Sequence, residues 1–236
     1  DTFEKGGYAV DVHITKKKND ACELITAVGG GYDTVVCAGG DGTLNETVTG
    51  VMRLEKKPCI GYIPAGTTND FAGSWGIPKN PLNAAKSIVS SEPTNTDVSL
   101  FCGKPFVYVA AFGVFTEASY QTPQQLKQSL GRTAYIIEGI KSLASIKPWK
   151  VRIEHDEGVD EGEFLYGMIS NTRRVGSFEL KMKDNISISD GLMELTLIKN
   201  PGNHMDNAKM LNAVLAQDIS SEYITFVHTK HIKFET

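Results

Sequence analysis

The chain has 236 residues, 41% of them apolar and 22% charged, with a formal net charge of −4, which suits one large soluble domain or two modest ones. The acidic balance leaves no basic excess to neutralise a phosphate backbone, so nucleic acid is excluded as the main partner. No apolar run reaches the roughly 18 residues of a membrane span, no signal-peptide pattern opens the chain, and the four cysteines (Cys22, Cys37, Cys59, Cys102) form no Cys-x-x-Cys pair. These features describe a cytoplasmic protein whose thiols are reduced and structural, with Cys37 and Cys59 expected to be buried in apolar strands.

The chain starts without Met on what reads as the end of a helix, Thr2 to Lys5 followed by Gly6-Gly7. Further residues are expected before Asp1. Tyr8 to Ile14 alternates and predicts a strand, and Asp20 to Val28 predicts a helix stopped by three glycines. Thr34 to Ala38 is a continuous apolar strand that ends at Gly39-Gly40-Asp41-Gly42-Thr43. The three glycines admit positive φ and let other groups approach the bare backbone. Thr43 with Glu46 has the spacing of a capping box at the start of a helix running to Leu54. A strand, a glycine loop and a helix N-terminus together make an anion site. The loop contains no Lys and does not match the Walker pattern. It carries Asp41 instead, a carboxylate where phosphates would sit, which requires a cation between the two. Cys59 to Ile63 repeats the theme, an apolar strand followed by Pro64-Ala65-Gly66-Thr67-Thr68-Asn69-Asp70, with Thr67 and Thr68 as candidate caps for the next helix. A further helix spans Pro81 to Ser90.

Short apolar strands alternating with helices predict a doubly wound, mostly parallel sheet with helices on both faces, over residues 1–95. Both glycine loops then share one edge of that sheet, where ligands bind. After residue 95 the texture turns antiparallel. Asp97 to Phe101 and Phe106 to Phe112 flank a hairpin turn at Cys102 to Pro105. Helical pieces follow at Thr122 to Leu130 and Ala134 to Ala144, then strands at Lys150 to His155, Glu163 to Ile169 and Leu192 to Ile198. A helix at His204 to Ala216 and strands at Tyr223 to Val227 and His231 to Phe234 complete a β-rich, sandwich-like domain over residues 96–236. His228 and His231 lie three apart on opposite strand faces, as surface histidines.

The loop Gly39 to Thr43 with Asn45-Glu46, the segment Ile63 to Phe71 and Asp97 together resemble the diacylglycerol kinase family, most closely its soluble bacterial branch related to sphingosine kinases. The likeness continues through Leu126-Lys127, Gly131, Ala134-Tyr135, the stretch Asn171 to Phe178, and Asp190-Gly191-Leu192. The resemblance implies transfer of the γ-phosphoryl group of ATP to the hydroxyl of diacylglycerol or a similar lipid, with nucleotide bound between the two domains. By position it implies nucleotide contacts at Thr15, Gly39, Gly40, Asp41, Gly42, Thr43, Leu44, Asn45, Glu46, Gly66, Thr67 and Asn69. It assigns the catalytic Mg²⁺ to Asp41, Asp70 and Asp97, partly through water, and a structural metal to Ser187, Asp190 and Leu192. Work on a lipid implies peripheral attachment to the inner membrane face, and a homodimer is compatible with it. Two family features have no counterpart here. One is an Asn-Pro-x-Ser-Gly loop ahead of Tyr8, and the other is the Asp-Gly-Glu whose Glu is the general base. The base is therefore expected beyond Thr236. A shared Gly-Gly-Asp-Gly-Thr loop leaves an NAD-kinase-like phosphotransferase as an alternative, and a nucleotide- or lipid-binding module without turnover as another.

Overall fold

Thr34–Gly39 (β1) and Cys59–Pro64 (β2) pair in parallel, with Thr34 opposite Cys59 and Gly39 opposite Pro64. The two strands therefore end level, and the loops that follow them start side by side. Helices Asp20–Val28 (α2), Asp41–Met52 (α3) and Pro81–Ser90 (α5) cover the pair, α3 packing on β1, α5 on β2 and α2 on α3. The short helices Thr2–Lys5 (α1) and Asp70–Trp75 (α4) complete this part, α1 against α5. Cys37, Leu44, Val48, Tyr62, Ala72 and Val107 form its core, with Phe71, Ile77 and Val98 packed on it. The computed structural model describes residues 1–113, 147–172, 174–175, 178–179 and 186–236. The expected helices at 122–130 and 134–144 lie outside the described residues, as do Leu126, Lys127, Gly131, Ala134 and Tyr135.

The chain forms two units. The first comprises Asp1–Tyr108, Asn171–Leu180 and Ser187–Asp190, and the second Val109–Ser170, Lys181–Ile186 and Gly191–Thr236. Sequence texture draws one line near residue 95, whereas packing assigns Val98 to Tyr108 to the α/β unit and returns two later segments to it.

The sheet of the first unit is smaller than the alternation of elements predicts. Tyr8 to Ile14 forms no strand and pairs with none of the described strands. A cavity of ≈ 400 Å³ is lined both by this segment and by β1. Val12 and Ile14 are accordingly 81% and 82% exposed. Alternating apolarity specifies a strand only where a neighbouring edge supplies the hydrogen bonds. Cys59 departs from expectation as well. Standing at the first position of β2, it is exposed while Cys37 is buried, and all four thiols are free.

The predicted strand Phe106 to Phe112 divides in two. Ser99–Phe101 (β3) and Lys104–Phe106 (β4) form a hairpin of the first unit, and Val109–Gly113 (β5) belongs to the second. There, Trp149–His155 (β6), Gly158–Ser170 (β7), Met193–Lys199 (β10), Ile224–Thr229 (β11) and Ile232–Glu235 (β12) join β5 in an antiparallel six-stranded sheet. The pieces Arg174–Val175 (β8) and Phe178–Glu179 (β9) pair separately. The 13-residue β7 organises the sheet. One edge pairs with β6 over Gly158 to Phe164 and with β5 over Tyr166 to Ser170, and the other edge pairs with β10. Gly167 stands opposite Phe112, whose ring occupies the space a side chain at 167 would need. That ring meets Trp149 and Phe234 edge-on at centroid distances of 6.2 and 5.8 Å. His204–Ala216 (α6), N-capped by Asn203, lays Met210 against Leu165 and Ile198. Leu195 and Leu197 of β10 are completely buried.

At one end of this sheet the Asp156 carboxylate accepts the backbone N–H groups of Lys230 (2.6 Å) and His231 (3.3 Å), tying the β6–β7 turn to the β11–β12 turn. His231 is exposed, as predicted, but the Nε2 atom of His228 is buried without a hydrogen-bond partner.

Truncating Leu197 to Ala leaves a void in a fully buried site, and chemical denaturation is expected to show a loss of about 2–5 kcal/mol. The Lys230 N–H bond, chiefly, holds the Asp156 carboxyl below its usual value. A carboxyl depressed in the fold contributes stability above its unfolded pKa, and that contribution vanishes as pH falls through the folded value. Melting temperatures of native protein and Asp156→Asn are expected to differ constantly above about pH 5. The gap should close on acidification below the ordinary Asp range, and a pH-independent gap would contradict the assignment.

Candidate active site

β1 and β2 run into their glycine loops in register, and the ladder carries one bond further as the Ala65 N–H donates to the Gly39 carbonyl at 2.8 Å. The loops then touch through bare backbone. A Cβ added at Gly66 would lie 2.5 Å from the Gly40 Cα, and one at Gly40 would lie 3.3 Å from the Gly66 Cα. A Cβ at Gly39 would collide with the Thr43 side chain, whereas one at Gly42 meets nothing within 4 Å. None of the three glycines of the first loop has positive φ. Gly39 and Gly40 serve close approach rather than left-handed turning, and Gly42 leaves the loop surface open.

The helix after this loop begins at Asp41, with Gly40 as N-cap, three residues earlier than the Thr43–Glu46 spacing predicts. No capping box forms, because the Glu46 carboxylate accepts the Asn19 N–H (2.9 Å), 27 residues away. The Asp41 side chain also serves a different segment. Its Oδ2 accepts the N–H of Asp70 (3.1 Å) and its Oδ1 the N–H of Phe71 (3.2 Å), so the first residue of α3 caps the first turn of α4. Such charge-assisted bonds to backbone N–H groups at a helix start are favourable electrostatically.

The second loop is closed by Asn69, which sits in the left-handed region (φ 53°, ψ 50°) that Asn tolerates better than most residues. Its Oδ1 accepts the Gly66 N–H (2.9 Å) and the Tyr62 O–H (3.2 Å), and its Nδ2 donates to the Gly66 carbonyl (2.7 Å). Asn69 itself is therefore the N-cap of α4, in place of Thr67 or Thr68, both of which are exposed. Asp70 is 3% exposed, and its Oδ2 accepts the Tyr108 phenol O–H at 2.5 Å. Tyr108 is anchored through its carbonyl, which accepts the Asn171 N–H (3.1 Å), while Asn171 Nδ2 donates to the Asp97 carbonyl (3.2 Å). The Asp97 N–H donates to the Ile188 carbonyl (3.1 Å). One chain of hydrogen bonds thus connects Asp41, Asp70 and the Asp97 backbone.

Burial raises the Asp41 carboxyl above its usual value. The N–H groups of Phe71 and Asp70 oppose that rise, and the neighbouring Asp70 carboxylate adds to it. Burial, and then the Asp41 charge, push the Tyr62 phenol upward, so Tyr62 stays a donor. A carboxylate whose charged form is disfavoured first by burial and then by the Asp70 charge, beside open backbone, suits a hard divalent cation with oxygen ligands. Among the described residues no group of three or more His, Cys, Asp and Glu side chains is close enough to hold a metal ion. The hydrogen bonds bring Asp41 and Asp70 together and join Asp97 to them through its backbone.

A model of the diacylglycerol kinase catalytic domain matches residues 1–101. The chain is 34% identical over 235 residues to a diacylglycerol kinase of Bacillus subtilis (strain 168), covering 98% of this chain and 77% of that protein. It is 34% identical over 232 residues to a diacylglycerol kinase of Staphylococcus epidermidis, covering 98% and 70% respectively. The chain belongs to the diacylglycerol kinase family. A crystal structure of a diacylglycerol kinase from Bacillus anthracis str. Sterne superposes with a TM-score of 0.79 at 26% identity, covering all of this chain and 77% of that one. Membership in the diacylglycerol kinase family makes the protein a phosphotransferase, and its two-part α/β and antiparallel architecture is that of its structural relatives.

The remaining residues singled out in the sequence fall in several places. The Leu44 side chain is core, 2% exposed, so only its backbone can face a ligand. Asn45 and Thr43 lend their carbonyls to the Thr49 and Thr47 hydroxyls. Thr15 is exposed and lines the same cavity as Thr43. Ser187 and Asp190 belong to the first unit and Leu192 to the second. Tyr108 and Asn171 complete the hydrogen-bond chain and Tyr62 braces Asn69; of the three only Asn171, in the stretch Asn171 to Phe178, carried a sequence signal. Tyr108 looked like one more aromatic in a strand, and only its contact with Asp70 marks it.

The Gly40–Gly66 contact makes a direct prediction. Gly66→Ala forces the loops apart and is expected to lose about 1–3 kcal/mol in chemical denaturation. Gly42→Ala, with open space around it, should stay within about 0.5 kcal/mol of native. Equal stability of the two variants would contradict the loop contact.

Proposed function

We propose that the protein transfers the γ-phosphoryl group of ATP to the hydroxyl of diacylglycerol or a similar lipid in a Mg²⁺-dependent reaction. The observation that carries the reading is the Asp41 clamp on Asp70 beside two glycine loops in backbone contact. Phosphoryl transfer asks a protein for positioning and charge neutralisation rather than covalent chemistry. Backbone N–H groups at the start of α3, with the open surface at Gly42, would receive nucleotide phosphates. Thr15, Gly39 to Glu46, Gly66, Thr67 and Asn69 would form the nucleotide side of the site. Asp41, Asp70 and Asp97 would hold Mg²⁺, partly through water, matching the ion's preference for a few carboxylates and retained waters. When bound, the ion supplies charge neutralisation between the carboxylates and the phosphates. Ser187, Asp190 and Leu192 would take a second, structural metal. The acceptor would be met at a membrane surface by peripheral attachment; among the described residues no helix is long and apolar enough to cross a bilayer.

The test incubates the protein with labelled ATP, Mg²⁺ and vesicles containing diacylglycerol, with NAD in a parallel reaction. Label is expected in the lipid, chelation of the metal should abolish it, and Asp70→Asn should lower kcat/KM by about 10²-fold or more. Labelling of NAD alone, or nucleotide binding without transfer to any lipid, would overturn the assignment.

A further inference from the structure

We infer that Tyr108 is a positioning residue for Asp70, setting how firmly the site holds a divalent cation with its nucleotide. The inference rests on the proposed role of Asp70 as a cation ligand. The phenol O–H of Tyr108 donates to Asp70 Oδ2 at 2.5 Å, the short distance of a charge-assisted O–H···O⁻ bond. Asp70 lies in the first turn of α4, and its own N–H is already held by Asp41. Its backbone is thus fixed by one neighbour and its carboxylate by another. Rotation of the side chain, the freedom a short carboxylate keeps, is what Tyr108 removes.

Tyr108 is well placed for this because it is not part of the loop it steadies. It lies at the end of the segment after β4, and the backbone N–H of Asn171 fixes its carbonyl. Asn171 is 3% exposed and donates through its side chain to the Asp97 carbonyl. The phenol therefore stands on a frame shared with Asp97, so the Asp70 carboxylate and the Asp97 segment are held against a common support. Mg²⁺ demands near-ideal octahedral geometry and tolerates misplaced ligands poorly. Groups that orient a ligand carboxylate by hydrogen bonding typically change metal affinity 10–100-fold when removed. Sequence gives no hint of this role, because Tyr108 sits 38 residues from Asp70 in an ordinary apolar context.

Tyr108→Phe keeps the ring and deletes the donor. In calorimetric titrations with ADP and Mg²⁺, the variant is expected to bind the metal–nucleotide pair 10–100-fold more weakly than native protein. ADP without metal should bind both alike, and the ligand-free melting temperature should move little. In an Asp70→Asn background, removing the Tyr108 hydroxyl should cause no further loss. Replacement of Tyr108 by p-aminophenylalanine, which restores a donor on the same ring, should recover most of the affinity, and it serves as the reporting variant if Tyr108→Phe does not fold. Unchanged metal–nucleotide affinity in Tyr108→Phe, an additive loss in the Asp70→Asn background, or no recovery with p-aminophenylalanine would each overturn the inference. Native protein that binds Mg²⁺ with ADP yet phosphorylates no lipid would sink the proposed acceptor alone. Native protein that binds no metal with nucleotide would sink both.

Discussion

The first unit turns on one carboxylate. Asp41 opens α3 and, with both oxygens, caps α4, 29 residues later in the chain. The two loops it joins leave adjacent parallel strands in register, so they must approach closely, and glycines at 40 and 66 are what permit it. The clamp sets the separation of the loops, the start of α4 and the environment of Asp70 together. It also has an electrostatic cost, since burial and the Asp70 charge both push the Asp41 carboxyl toward its neutral form. The backbone N–H groups of α4 offset part of that cost. A cation beside the two carboxylates would offset more of it.

The second unit makes a different use of its residues. Its long β7 serves three partner strands, and its aromatic and aliphatic side chains fill the sheet in the way antiparallel packing allows. Polar groups enter there mainly as ties between turns, as with Asp156. Packing therefore governs the second unit, whereas close backbone approach and charge govern the first.

Much of this was legible in the sequence. The runs at 34–39 and 59–64 announced parallel strands, and the motifs after them announced the family. What the sequence misassigned depends on partners that a linear pattern does not contain. Tyr8 to Ile14 has the alternation of a strand but pairs with none of the described strands. Thr43 and Glu46 have capping-box spacing, yet Glu46 is drawn away by the Asn19 N–H. Asp41 was readable as a cap for its own helix, and the helix whose N–H groups it accepts is the next one, α4. Tyr108 was invisible as a site residue because its bond to Asp70 crosses 38 positions.

Chain connectivity gives the fold one more property. The first unit is assembled from three separated stretches and the second from the three that alternate with them. Neither can be excised as a continuous piece of gene. A fragment cut at residue 95 or 108 would strip the α/β unit of Asn171 and of the Ile188 carbonyl that receives Asp97. Modular exchange, by recombination in nature or by grafting at the bench, must therefore move both halves at once.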